Sequence, residues 1–235
     1  TAVYTSNFTP PTSPLTAISG TSLLTCQSKR FVDNSSNDFT VSTSGTPKIV
    51  PFSPFAPSAA YSPATKGGSA YFDGSGDRIY YADDNSTKFG DGDYTVEAWV
   101  YPFGSGLGSA PVFNQSTGGA SSDSSFFLSL QTDGIGHYVS DGTSWDYNAN
   151  NSNLSLARQW NHAAWVRTGD YIYSYVNGER VETYSLPSGF TLGDSTRIVE
   201  LGAQDNSNFF QGYISDLHVL TGEAKYTGTT YSVPT

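Results

Sequence analysis

The sequence predicts an all-β fold, two antiparallel sheets packed as one sandwich. Three observations carry that reading. Helical periodicity is nearly absent from the 235 residues, and apolar residues recur instead with period two or in short runs. Roughly fourteen such runs occur, too many for a small barrel and suited to a two-sheet sandwich. Sixteen Tyr, fourteen Phe and four Trp supply the bulk for one large β core.

Taken in order, the first runs are SLLTCQ (22–27), DFTVST (38–43) and PKIVPF (47–52). The polar turn STSGTP separates the last two, and the first is apolar around Cys26. Pro51 to Ser69 then carries four prolines. Proline removes ladder donors, so this stretch is expected to cross an edge of the sandwich rather than pair within it. SAYFDG (69–74) and DRIYYA (77–82) follow, punctuated by Gly and Ser.

In YTVEAWVYP (94–102), Tyr94, Val96, Ala98 and Val100 form one set, with Trp99 and Tyr101 on the opposite face. A strand apolar on both sides belongs in the middle of a sheet, partly covered on its outer face. APVFNQ (110–115), SFFLSLQ (125–131) and GIGHYVSD (134–141) come next, the first two flanked by Gly/Ser-rich loops. NHAAWVRTG (161–169) and YIYSYVNG (171–178) predict a hairpin at Gly169-Asp170. ERVETYS (179–185) follows Asn177-Gly178, a pair that tolerates the positive φ of a type I′ turn. RIVELGA (197–203) and FQGYISDLHVL (210–220) complete the set.

Only 14% of residues are charged, so Ser, Thr, Asn and Gly must cover the surface. Such surfaces suit extracellular, fibrous or glycan-facing proteins. The net charge of -10 and pI near 4.5 argue against nucleic acid as a partner and fit calcium or a neutral polysaccharide. The single cysteine, Cys26, forms no intrachain disulfide and reads as a buried, inert thiol. The chain has no Met, which suggests excision or processing from something longer. No signal peptide and no run of 18 apolar residues is seen, so no membrane insertion is expected.

The two ends nearly repeat each other. Ala2 falls on Ala224, Tyr4 on Tyr226 and Thr5 on Thr227. With one residue skipped, Phe8 falls on Tyr231, Pro11 on Pro234 and Thr12 on Thr235. The end segment reads as an edge strand, and a single sandwich offers no second slot for its copy.

SAYFDGSGDRIYY, FGDGDYTVEAWVYP, QWNHAAWVRTGDYIYSYVNGERV and FFQGYISDLHVLTGEAKYT together resemble the laminin-G-like branch of the concanavalin A-like lectin/glucanase superfamily. Their order and spacing match over about Gly67 to Tyr226. The resemblance implies a jelly roll of two curved antiparallel sheets. The segment from Pro10 to Pro57 resembles the connectors between tandem laminin-G-like repeats in phage tail or fibre proteins. On that likeness, residues 1–16 are the strand and linker ending a preceding repeat. Residues 17–66 hold the first strands and the Pro-rich crossover, and 67–235 the jelly-roll core with the C-terminal strand. Tyr4, Phe8 and Pro11 are then the inter-repeat contacts.

Glucanases of this superfamily carry an acid and a nucleophile in Glu-x-Asp-x-x-Glu, since glycoside cleavage with retention needs two carboxyl groups about 5 Å apart. The five glutamates (Glu97, Glu179, Glu182, Glu200, Glu223) show no such spacing. Glu97 is lone and reads as a structural carboxylate. His137, His162 and His218 lie near no Gly-x-Ser-x-Gly nucleophile motif. The chain is read as a non-enzyme.

The resemblance also implies a structural calcium clamped between the first and last strands, with Asp73 and Asp216 as ligands. The alternative is that both cap turns or bond backbone amides. ADDNST (Asp83, Asp84) and GDGD (Asp91, Asp93) look locally like calcium loops, but no full twelve-residue loop is present. For glycan contact, Trp145 and Tyr147 stand on an expected loop, while Trp99, Trp160 and Trp165 lie in strand patterns expected in the core. Packing over a sheet edge is the other reading of Trp145. Glycosylation sequons occur at Asn7, Asn34, Asn85, Asn114, Asn150 and Asn153.

These readings converge on a non-enzymatic structural or adhesive repeat of an extracellular filament or virion tail fibre. Its partners are neighbouring copies joined head to tail, with a cell-surface or environmental polysaccharide as a further candidate. A free-standing carbohydrate-binding lectin is the alternative, and a glucanase stands third.

Overall fold

The computed structural model describes residues 13–28, 30–50, 53, 67–104, 110–117, 123–145 and 147–234. Thr1–Thr12, with Tyr4, Asn7, Phe8 and Pro11, lies outside the described residues, as does the Pro-rich crossover 51–66 apart from Ser53. The strands are β1 (Thr21–Thr25), β2 (Ser42–Ser44), β3 (Lys48–Val50), β4 (Ser69–Asp73), β5 (Arg78–Tyr81), β6 (Tyr94–Pro102), β7 (Phe113–Gln115) and β8 (Phe126–Leu130). They continue with β9 (Ile135–Val139), β10 (Tyr147–Asn148), β11 (Asn161–Thr168), β12 (Tyr171–Val176), β13 (Glu179–Ser185), β14 (Val199–Leu201) and β15 (Gln211–Thr221).

Two antiparallel sheets result. One runs β13-β12-β11-β6-β15-β4-β3, with β1 also on β15; the other runs β10-β9-β8-β7-β14-β5-β2. The three short strands before residue 51 are thus hydrogen-bonded into the sandwich. The long strand β15 pairs with β6 along one edge and shares the other between β4 and β1. A bulge between Ser215 and His218 separates the two halves, and Asp216 inside it takes a φ of 50°.

β6 lies in the middle of its sheet, between β11 and β15. Its Tyr94, Val96, Ala98 and Val100 join Phe72, Phe113, Phe126, Leu128, Trp165, Ile172 and Leu217 in the inter-sheet core. Each large apolar side chain buried there contributes about 1.5–3 kcal/mol. The Trp165 indole N–H donates across the core to the Gly136 carbonyl at 2.9 Å. Asn177 and Gly178 take φ of 50° and 84°, as a type I′ hairpin requires.

Three segments take a different local structure from the one the sequence predicts. The strand expected over 38–43 starts only at Ser42. Asp33 accepts bonds from the amides of Leu24, Ser35 and Phe39, which turns the chain, and Phe39 stacks on Tyr81 instead. Tyr147 sits in β10, paired with Val139, rather than in a loop. The C-terminal segment after Thr221 is not a ladder strand. It makes an isolated bridge, Glu179 to Thr230, and otherwise runs across the outer face of the eight-stranded sheet.

Candidate functional site

Period two sets Thr95, Glu97, Trp99 and Tyr101 of β6 on the outer face of the sheet. Gly222 to Pro234 closes part of that face as a strap. The Thr95 hydroxyl accepts from the Lys225 amide at 2.8 Å and donates to the Glu223 carbonyl at 2.9 Å. The Tyr175 hydroxyl donates to the carbonyl of Gly228 at 2.7 Å. The Arg180 amide reaches Thr229 O, and the Tyr231 amide reaches Gly178 O. Beneath the strap, Ala164, Val166, Tyr175 and Tyr226 form a second buried cluster, with Tyr173, Ala224 and Tyr231 packed against it. Tyr226 and Tyr231 stack at 3.7 Å with an interplanar angle of 10°.

Glu97 is the polar centre of this closure. It is 1% exposed. Its Oε1 accepts from Lys225 Nζ at 2.5 Å and lies 3.0 Å from His218 Nδ1, while Oε2 accepts from the Tyr226 hydroxyl at 2.6 Å. His162 Nε2 stands 3.6 Å from Oε2, and its Nδ1 shares a 2.7 Å bond with the Tyr231 hydroxyl. Burial pushes the Glu97 carboxyl up, but the Lys225 ammonium, followed by His218, reverses this and holds it well below the usual range. Burial pushes His162 down to about 4, so it is neutral at pH 7 and Lys225 supplies the balancing charge. Glu97 is therefore an anchor for the strap. A glycosidase carboxylate needs an open cleft and a partner about 5 Å away, whereas both Glu97 oxygens are taken under a closed cover.

The predicted metal pair does not form. Asp73 pairs across from Gln211, five positions (216 − 211) from Asp216 and so roughly 16 Å along the strand. Asp73 closes an Asx turn on the Ser75 amide at 2.7 Å. Asp216 is 2% exposed, accepts from the Leu15 amide at 3.3 Å, and is pushed by burial up to about 7. These two residues do not fit a shared calcium. Asp84 caps the short 3₁₀ turn at Asn85–Thr87, Asp83 bonds Gln115 and Lys88, and Asp93 accepts from the Gly169 amide. Among the described residues no group of three or more His, Cys, Asp or Glu is arranged for a metal.

Trp145 is half-buried, on a turn organised by Asp141, which accepts from the amides of Thr143 and Ser144. Tyr147 packs on Phe190 at 4.6 Å, which commits its ring to the sandwich edge. Asn34, Asn85 and Asn153 are exposed and Asn150 is half-buried. Asn114 is fully buried on β7, so that sequon is unusable in the folded chain. Trp99 and Trp160, expected in the core, lie half-buried outside it. Trp160, Tyr101, Phe103, Tyr213 and Tyr71 form a ring cluster, with Tyr101–Trp160 at 5.6 Å and Tyr71–Tyr213 at 5.1 Å. The alternating aromatic set of YTVEAWVYP was the signal for its β6 member, Tyr101; nothing in the sequence joined it to Tyr213.

A laminin G family model, described as "Concanavalin A-like lectin/glucanases superfamily", matches residues 59–224. The chain belongs to this superfamily. No curated protein matches in sequence. Among solved structures, this laminin-G-like chain is similar to the binding domain of Paraclostridial Mosquitocidal Protein 1 (13% identity, TM-score 0.63, 87% of this chain and 49% of that one). It is also similar to the binding domain of botulinum neurotoxin DC in complex with SialylT (12% identity, TM-score 0.63, 88% and 49%). Domain 4 of AbnA, a GH43 extracellular arabinanase from Geobacillus stearothermophilus, in complex with arabinotriose, matches at 18% identity and TM-score 0.55 over 80% and 84%. The chain spans about half the length of the toxin domains it matches. At these identities the likeness extends to the fold. Among the described residues no helix is long and apolar enough to cross a membrane.

Proposed function

We propose that this laminin-G-like chain is a non-catalytic structural and adhesive module of an extracellular or virion-surface fibre, joined head to tail with neighbouring units. The observation that carries this reading is the strap. Its contacting residues Ala224, Tyr226 and Tyr231 fill one slot on the outer face, and Ala2, Tyr4 and Phe8 repeat their pattern at the other end of the sequence. A second strap with its cognate slot already filled serves another unit. The sealed Glu97 supports a non-catalytic role. A fusion of two copies, overlapping Glu223–Thr235 of the first with Thr1–Thr12 of the second, is the test. Small-angle scattering should give a rod with both sandwiches folded and their spacing fixed. Two units tumbling independently, or a first unit that loses its fold, would end this reading.

A second reading is lectin-like binding of a polysaccharide. It is favoured by half-buried Trp145 on its ordered turn, and by similar domains solved with SialylT and arabinotriose. A glycan array comparing the chain with Trp145→Ala tests it: binding that is absent, or unchanged by the substitution, counts against a site there.

A further inference from the structure

The Glu97 centre has a further member on the far side of its histidine. His218 lies on β15 between β6, where it faces Glu97, and β1, which pairs along the other edge. Its ring bridges the two neighbours. Nδ1 stands 3.0 Å from Glu97 Oε1, and Nε2 stands 3.2 Å from the Thr21 hydroxyl of β1. A carboxylate only accepts, so Nδ1 carries a proton. In the neutral ring Nε2 accepts from the Thr21 hydroxyl, and that oxygen in turn accepts from the Ile18 amide at 3.0 Å. Thr21, His218 and Glu97 are 3%, 4% and 1% exposed, so little solvent is at hand to replace a lost partner.

From Glu97 the same line of bonds enters the strap, through Lys225 Nζ and the Tyr226 hydroxyl. A second tie between β1 and β15 takes another route. The Ser22 hydroxyl donates to Thr221 Oγ1 at 3.0 Å, and the Thr221 hydroxyl donates to the Ser86 carbonyl at 2.8 Å. That tie holds the same two strands but ends at Ser86 and does not reach Glu97.

We infer that Thr21 is a positioning residue for the strap: through the His218 ring it fixes the aim of the Glu97 carboxylate, so that seating of β1 and closure of Gly222 to Pro234 are coupled. With Thr21 in place the ring is held at both nitrogens, and Oε1 and Oε2 stay directed at Lys225 and Tyr226. When β1 lifts, Nε2 loses its partner and the ring is free to swing Nδ1 off the carboxylate. Members of one buried network couple by factors from about twofold to about 100-fold. The coupling is reciprocal, so a closed strap holds β1 by the same factor. It operates whether the domain stands alone or in an array.

The test uses the full chain and reads strap opening from hydrogen exchange at the Lys225 and Tyr231 amides, which bond Thr95 Oγ1 and the Gly178 carbonyl. Thr21→Val should raise opening about 5-fold, the loss of one buried hydrogen bond. Thr21→Ser should restore closure. Ser22→Ala removes the other tie and should leave strap opening unchanged. His218→Asn keeps a donor for Glu97 but offers Thr21 no ring nitrogen. In that background Thr21→Val should add less than about twofold. Nitrogen-15 spectra of the His218 ring should show the proton on Nδ1, with the Nε2 signal moving in Thr21→Val and staying in place in Ser22→Ala.

Thr21→Val without effect on the strap overturns the inference. An equal rise in Ser22→Ala overturns it too, since the strap would then merely follow the stability of β1. A Thr21→Val effect that persists in full beside His218→Asn, or a ring protonated on Nε2 alone, shows that the path does not run through this histidine.

Discussion

Asp216 and two buried histidines pull stability in opposite directions with pH. Burial raises the Asp216 carboxyl from 3.8 to about 7. A raised carboxyl favours the fold while protonated, so its contribution is present in acid and is lost as pH climbs toward 7. Burial lowers His162 and His137 from 6.5 to about 4 and about 3. Their depressed values mean stability is full above 6.5 and is lost as pH falls. Between roughly pH 4 and 6.5 the two trends offset. Asp216→Asn is expected to keep the left-handed backbone, which Asn tolerates. It should raise stability above pH 7 by about 1–3 kcal/mol, make no difference below about pH 4, and expose the histidine slope. Urea midpoints from pH 4 to 8 check this; an equal gain at every pH would refute it. Tyr226→Phe removes a bond to a charged acceptor and should cost about 1.5–3 kcal/mol. No sequence reading joins Glu97 to its partners, because His218, Lys225 and Tyr226 lie 121, 128 and 129 residues away.

At the level of elements, two glycines separate hairpin strain from strap contact. Gly169 has a φ of +54° with nothing within 4 Å of an added Cβ. Gly178 has a φ of +84°, and a Cβ there would meet the Tyr231 carbonyl oxygen at 2.3 Å. Gly169→Ala should cost only the left-handed penalty, about 1–2 kcal/mol. Gly178→Ala should cost more and also expose the strap to protease, whereas equal losses in the two variants would mean the strap does not lean on this turn. β6, β11, β12 and β13 were legible because each announces itself locally, through alternation or through Asn-Gly. The strap was not: its hydrogen bonds go to scattered groups such as Thr95 Oγ1 and Tyr175 Oη, and an irregular path leaves no period. Tyr147 escaped for a related reason, since β10 is two residues long and takes its partner from β9. The metal pair failed because both aspartates lie in the matching segments, while the register setting Asp73 against Gln211 is a property of the pairing alone.

For the whole molecule, the chain is expected to release no reducing sugar from laminarin or related glucans. Turnover abolished by Glu97→Gln would contradict that. The strap has one more consequence, a mechanical one. The chain comes in at Leu15, tied to Asp216 on β15, and leaves beside the β12–β13 turn, where Tyr231 bonds Gly178. In sheet order β6 and β11 lie between these two points. Tension on the ends therefore runs across the strands and meets the strap before the core, loading its bonds one after another rather than all together. Pulled in a single-molecule force experiment, the domain should first give a small early extension of about a dozen residues, roughly 40 Å at 3.3 Å each. The sandwich should rupture separately and later. The strap would then act as a shock absorber that yields and re-closes under load, and Lys225→Val should lower the force of the first event while leaving the second where it was.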